Sequence, residues 1–327
     1  MSRNLLLAAL ASLVLTFGIA LGQVHAPTFT QIDYPASGTT GTIVNGINAR
    51  GDIVGIYFDA AGNTHGFLRK ARKADNGGAV EKVPGIDTGG GQFTTIDYPT
   101  ANPNAITNLN AINDEGDIVG TVQFNPALPG GDYHGFLLRD GVFENVEFPG
   151  HLNTIAAGVT DTGEVVGCYH DYNFSTTMHG MILSHGNYTA LDGKYPPLPD
   201  ELASMNNGAT PDGDLLAGLW TDTAGNTHGY LLRPSDGEFT PFDYPNSIHT
   251  EAWGINASRE AAGFYLDQSS NYHGFVLSRG HFSSIDYPGA AGTLAFGINP
   301  QGDAVGMFFD SAGNTHGFVV NRSPRLR

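Results

Sequence analysis

The residues able to do chemistry in this chain recur instead of clustering. A His-Gly pair stands at His65, His134, His179, His228, His273 and His316, and each copy also carries one acid at Asp33, Asp97, Glu147, Asp192, Asp243 or Asp286. A metal centre needs three or four ligands about 2.0–2.3 Å from one ion, which residues in equivalent positions of separate copies do not supply. The expected role of these histidines is to hold a turn or pair with an acid. A second acidic series, Asp59, Asp171, Asp222, Asp267 and Asp310, precedes a turn often written Gly-Asn-Thr. Calcium takes about six to eight oxygens. One carboxylate with two backbone carbonyls falls short of that, so Asx turns are expected here.

The residues that differ between copies are few. Cys168, His170 and Asp171 place a thiol beside a possible base, but Cys168 fills the slot held by Ile56, Leu219, Phe264 and Met307. That slot reads as core, where a thiol behaves as a small hydrophobe. Trp220 continues an aromatic slot shared with Tyr57, Tyr169, Tyr265 and Phe308 and is expected to pack a sheet. Trp253 is odder, because the other copies have Asn45, Asn110, Ala157, Asn207 and Phe296 there. It serves either packing or a stacking surface for a sugar or peptide. The candidate ligand surface is Trp220, Trp253, Tyr172, Lys194, Tyr195, His170 and Asp171. An enzyme would draw on His151, His170, Asp171, Lys194, Asp200, Glu201, His249 and Glu251, whose spacing selects no pair. No catalytic, metal or cofactor-binding residue is assigned, and no cofactor is expected.

The elements that must position these residues repeat with a period of about 45 residues. The clearest copy runs Phe29-Thr-Gln-Ile-Asp-Tyr-Pro35, Gly46-Ile-Asn48, Gly51-Asp-Ile-Val-Gly55 and His65-Gly-Phe67. Strand one ends at Asn48, strand two is Asp52 to Phe58, strand three opens at His65, and strand four is Phe93 to Tyr98, stopped by Pro99. No helical period competes. The chain opens on a fourth-strand sequence and finishes on a third, so the leading strand can complete the trailing copy and leave no open sheet edge. The fold predicted is all-β: a six-bladed β-propeller of four-stranded antiparallel blades, closed by the N-terminal strand in the last blade. The polar series Asn48, Asn113, Thr160, Thr210, Asn256 and Asn299 is expected to cap the turn after strand one or to ring a channel mouth. Connections after strands two and four vary most between copies, and they share one face, the expected working surface.

Arg3, the apolar run Leu5 to Leu21 and Val24-His25-Ala26 have signal-peptide form, so residues 1–26 are read as a leader and 27–327 as one repeat domain. A secreted or periplasmic monomer with no stable membrane insertion follows. The net charge of −17 argues against nucleic acid as a partner, since phosphate binding needs clustered cations. The basic run Arg69, Lys70, Arg72 and Lys73 reads as a solvated loop, and the glycine-rich insertion from Ala71 to Gln92 as a linker. A single cysteine excludes an internal disulfide.

The string Gly-Ile-Asn, Gly-Asp-Ile-Val-Gly and His-Gly-Phe-Leu resembles the HAF-type extracellular repeat of bacterial exported proteins, over about Phe29 to Arg322. Glycine stands where that family's name implies alanine, at Gly66, Gly135, Gly180, Gly229, Gly274 and Gly317. The resemblance implies export and a repeat fold and brings no catalytic residues. The function expected is a non-enzymatic binding module for a glycan, protein or cell-surface component; the alternative is a lyase or hydrolase acting on carbohydrate or cyclic peptide at the channel mouth.

Overall fold

The computed structural model describes residues 26–71, 91–128, 131–171, 178–191 and 203–322. Residues 1–25 of the leader read from the sequence, Tyr172, Lys194, Tyr195, Asp200, Glu201, Arg72, Lys73 and most of the 71–92 insertion lie outside the described residues. The described residues form six antiparallel sheets of four strands each and no helix, so no helix among them is long and apolar enough to cross a membrane.

Blade one is typical: Gly41–Ile47, Ile53–Phe58, Thr64–Lys70 and Gln92–Thr95 pair in sequence order. Strand four is shorter than expected. After Thr95 only Ile96 continues the pairing, through its N–H to the Gly66 carbonyl, and Asp97 then turns its carboxylate toward His65. The first strands of successive blades touch one another around the axis. Blade six holds Gly292–Ile298, Ala304–Phe309 and Thr315–Asn321, and its outer strand is Thr28–Ile32 from the other end of the chain. The closing pair runs from Thr28 opposite Asn321 to Ile32 opposite Gly317. The ring therefore closes as the orphan first strand predicts.

The recurring Ile-Asp-Tyr-Pro string has a physical reading residue by residue. Ile32 and Ile285 are buried, Asp33 and Asp286 bind His316 and His273, and the tyrosine crosses to the next blade. Tyr34 stacks on Tyr57 at 3.8 Å, Tyr244 on Tyr265 at 3.6 Å and Tyr287 on Phe308 at 3.7 Å. The same tyrosines donate their backbone N–H to Thr42, Thr250 and Thr293 of that next blade, so each of these three seams combines a ring stack with a part-buried hydrogen bond.

The inner strands carry a bulge in every blade except that its occupant changes: Asn45, Asn110, Ala157, Asn207, Trp253 or Phe296. The three asparagines each bond across to the next inner strand, Asn45 to the Leu109 carbonyl (2.9 Å), Asn110 to Ala156 (2.8 Å) and Asn207 to Ala252 (2.8 Å). Just past the bulge the backbones meet so closely that a Cβ on Gly254 would come within 2.6 Å of the Phe296 carbonyl oxygen. The asparagines ending strand one do both things expected of them: Asn48 Oδ1 accepts the Arg50 and Asp52 N–H groups, while its Nδ2 reaches the Asn113 carbonyl of the next blade.

Candidate functional site

The histidines of the His-Gly pairs are clasps. His228 Nδ1 lies 2.8 Å from Asp243 and its Nε2 lies 3.3 Å from Asp222, so one imidazole ties the turn before strand three to the end of strand four. His65 does the same between Asp97 and Asp59, His273 between Asp286 and Asp267, and His316 between Asp33 and Asp310. His134 meets Glu147, and His179 meets Asp171; Asp192 lies outside the described residues. Burial pulls the His65 and His228 imidazoles down, but the facing carboxylates outweigh it and leave both above the ordinary value.

The turn acids are saturated by their own loops. Asp59 accepts the Asn63 side chain and the Ala61 and Asn63 backbone N–H groups, the Asx turn expected. The Asn63 bonds hold its carboxyl at about 2, and the matching asparagines do so for Asp222, Asp267 and Asp310. Among the described residues no group of three or more His, Cys, Asp or Glu is placed to hold a metal ion.

Cys168 is buried, and desolvation pushes its thiol well above the ordinary range. His170 Nε2 lies 3.9 Å from its sulfur, but burial holds that imidazole down at about 4. A neutral thiol beside a weakly basic imidazole is no nucleophile pair. Asp171 instead bonds His179 at 3.1 Å and approaches His151 at 3.5 Å, completing the clasp of blade three. Trp220 stacks on His228 at 4.8 Å within the packing of blade four, away from the axis.

Three candidates do come together. His249, Glu251 and Trp253 alternate along the inner strand His249–Ile255 of blade five and so share its face. Glu251 is the hub: Oε1 accepts from His249 Nε2 at 2.7 Å, and Oε2 accepts from Trp253 Nε1 at 2.8 Å. In register, the other blades place Ile43, Asn108, Ile155, Met205 and Leu294 where Glu251 stands, so blade five alone puts a charge at this level of the axis. The glutamate side chain is 14% exposed and that of His249 29%. Trp253 packs on Phe296 of blade six at 4.9 Å, and Phe264 lies beside both His249 (5.9 Å) and Phe296 (6.4 Å).

His249 opens strand one, on the face of the variable connections. There it ends a groove of about 430 Å³ between blades four and five, lined by Asn226, Thr227, Asp243, Asn246, Ser247 and Ile248 among others. Ile248 is 46% exposed. Every described Lys or Arg lies in a turn between strands one and two, at the end of strand three, or just after it, hence on the opposite face. On that opposite face a depression of about 60 Å³ is lined by one apolar residue from each blade, Ile47, Ile112, Val159, Ala209, Ile255 and Ile298, together with polar residues such as Asn48, Asn113 and Asn256.

Sequence reasoning singled out Trp253, His249 and Glu251 separately and missed that they form one unit. Their two-residue spacing within a strand was the available signal. It also missed Phe296 as the ring that packs Trp253.

The fold defines a class, the six-bladed β-propellers. Within it the chain is similar to a triple-arginine mutant of AofleA from Arthrobotrys oligospora, at 10% identity and a TM-score of 0.53, covering 92% of this chain and 91% of that one. It is also similar to TolB from Acinetobacter baumannii (10%, TM-score 0.47), covering 87% of this chain but only 56% of TolB. A third similarity is to the fucose-recognising lectin of Aleuria aurantia, itself a six-bladed propeller (11%, TM-score 0.41, 75% and 77% covered). No family model and no curated protein matches the sequence.

Proposed function

We propose that this chain is an exported, non-enzymatic glycan-binding propeller of the HAF-type repeat group, with its ligand in the groove between blades four and five. The observation that carries the reading is the His249–Glu251–Trp253 unit, whose first member, His249, lines that groove. Saccharide sites combine an aromatic face with a few fixed polar groups, and this unit supplies both on a strand locked into the ring. The groove adds the amides of Asn226 and Asn246 and the hydroxyls of Thr227 and Ser247. A lyase or hydrolase would need a convergent acid, base and cation; Glu251 and His249 stand together here without a described Lys or Arg on their face. The test is a glycan array probed with the purified chain and with Trp253→Ala. Saturable signals lost in the variant support the reading, and signals identical in both proteins refute it.

A further inference from the structure

We infer that the glycan presents a methyl group to Ile248, so that within the glycan reading above, on which this rests, the ligand is a methyl-bearing sugar, a 6-deoxyhexose or an N-acetylhexosamine. The ground for this is the apolar surface of the groove between blades four and five. At about 430 Å³ the groove lies within the roughly 300–1,000 Å³ of small-ligand sites. Three aromatic rings reach it, and each already lies against another ring. Tyr244 is stacked on Tyr265 at 3.6 Å, His228 on Trp220 at 4.8 Å, and His249 faces Phe264 at 5.9 Å. Among the lining side chains the exposed large apolar one is Ile248, 46% exposed.

Single exposed apolar side chains are ordinary on a protein surface. Ile248 differs in standing inside a polar groove on a pinned turn. Ser247 N–H reaches the Tyr244 carbonyl at 3.0 Å, Ile248 N–H reaches the Leu266 carbonyl at 2.9 Å, and Gln268 Nε2 donates to the Asn246 carbonyl at 3.0 Å. Asn246 takes the left-handed φ of 62° at the corner of that turn. The connection from blade two to blade three is built the same way, with His151 N–H on the Phe148 carbonyl and Leu152, 72% exposed, at the step of Ile248. From blade five to blade six the same turn carries Ala291 at that step, so the backbone does not demand a large aliphatic group there.

A groove of this make fits a ring that is polar at most positions and apolar at one. The amides of Asn226 and Asn246, the Thr227 hydroxyl and the half-exposed Asp243 carboxylate offer donors and acceptors to ring hydroxyls. Ile248 offers no polar atom. A methyl laid on it leaves water, which is worth about four-fold in affinity. A hydroxymethyl in the same place brings a hydroxyl that the isoleucine cannot pair, and a polar group buried without a partner is costly.

The experiment is saturation-transfer difference NMR of the purified chain, at neutral pH, with L-rhamnose, L-fucose and N-acetylglucosamine, each beside its methyl-free counterpart L-mannose, L-galactose or glucose. At least one methyl-bearing sugar is expected to take its strongest saturation on the methyl protons and to bind at least about four-fold more tightly than its counterpart. Which pair shows the preference tells a deoxy methyl from an acetamido methyl. Ile248→Ser should abolish the preference, while Leu152→Ser, at the matching step after blade two, should keep it. Equal or tighter binding of every counterpart would overturn the methyl seat, and so would the absence of saturation with all six sugars at high millimolar concentration. In either case, glycan-array signals lost in Trp253→Ala would leave the glycan reading standing, and signals identical in both proteins would refute it as well. A preference that survives Ile248→Ser, or is lost in Leu152→Ser, would overturn the placement.

Discussion

Trp253 Nε1 donates to Glu251 Oε2 across 2.8 Å, two residues apart on the one inner strand whose axial face carries a charge. The bond fixes the indole at the bulge of blade five, where three other blades use an asparagine to reach their neighbour. Blade five thus gives up an inter-blade hydrogen bond and gains an aromatic face beside a carboxylate. A hydrogen bond given up at a seam costs about 1 kcal/mol, a small loss for a ring already closed by stacked tyrosines and threonine clasps.

Replacing Glu251 separates its two partners. Glu251→Ala leaves the half-buried indole N–H and the His249 N–H without an acceptor, and the chain is expected to lose about 1–3 kcal/mol of stability. Glu251→Gln keeps one acceptor oxygen and should lose less. Urea unfolding of the three proteins checks the order; equal stability of all three would show that the hub carries no structural weight.

The clasp histidines give stability a definite pH dependence. His65 and His228 are raised in the folded state, so their contribution is complete below the unfolded histidine value of about 6.5 and fades as pH rises through the higher folded value. The gap in melting temperature between the wild type and His228→Gln should therefore be larger at about pH 5.5 than at about pH 8.5. A gap that widens with pH contradicts the clasp. The turn acids act at the other end: Asp59, Asp222, Asp267 and Asp310 are held at about 2, so their contribution is present above about pH 4 and lost as pH falls through 2. Asn226→Ala, which removes the side chain that holds Asp222, should make acid unfolding begin at a higher pH.

The strand-two glycine tolerates no side chain. A Cβ on Gly263 would overlap the Glu251 carbonyl and sit 2.7 Å from Phe275 Cζ. Gly263→Ala is expected to cost about 1–3 kcal/mol or more and to disturb Glu251 through its own backbone. Circular dichroism melting, with binding measured beside it, reads both effects. Unchanged melting would mean that blade five has room the packing denies.

Ring closure was readable because it depends on counting. An unpaired fourth-strand sequence at Phe29 and a missing fourth strand after Val320 need only the repeat to be seen. The His–acid clasps were readable for the same reason, as paired series. The site was only half legible. Trp253 stood out by its departure from asparagine, and its two-residue spacing from Glu251 was there to be read, but the bulge at Ala252–Gly254 on which it sits is announced by no residue pattern. The groove depends on Ile248 and His249 meeting a turn of the preceding blade, a contact across a seam that spacing along one copy does not reveal.

Deleting residues 27–34 should open blade six, leaving the edge of Thr315–Asn321 unpaired. The shortened chain is expected to aggregate or melt without a cooperative transition. A monomer with the wild-type melting curve would contradict closure by the first strand.

The most direct measurement uses the two tryptophans. In Trp220→Phe, a change to a ring that blade six already carries as Phe308, Trp253 is the sole indole and reports from the site alone. Titration with a saccharide bound on the glycan array should shift or quench its emission with the same midpoint that calorimetry gives. Binding seen by calorimetry with a flat Trp253 signal would place the ligand elsewhere and contradict the assignment of the blade-five mouth.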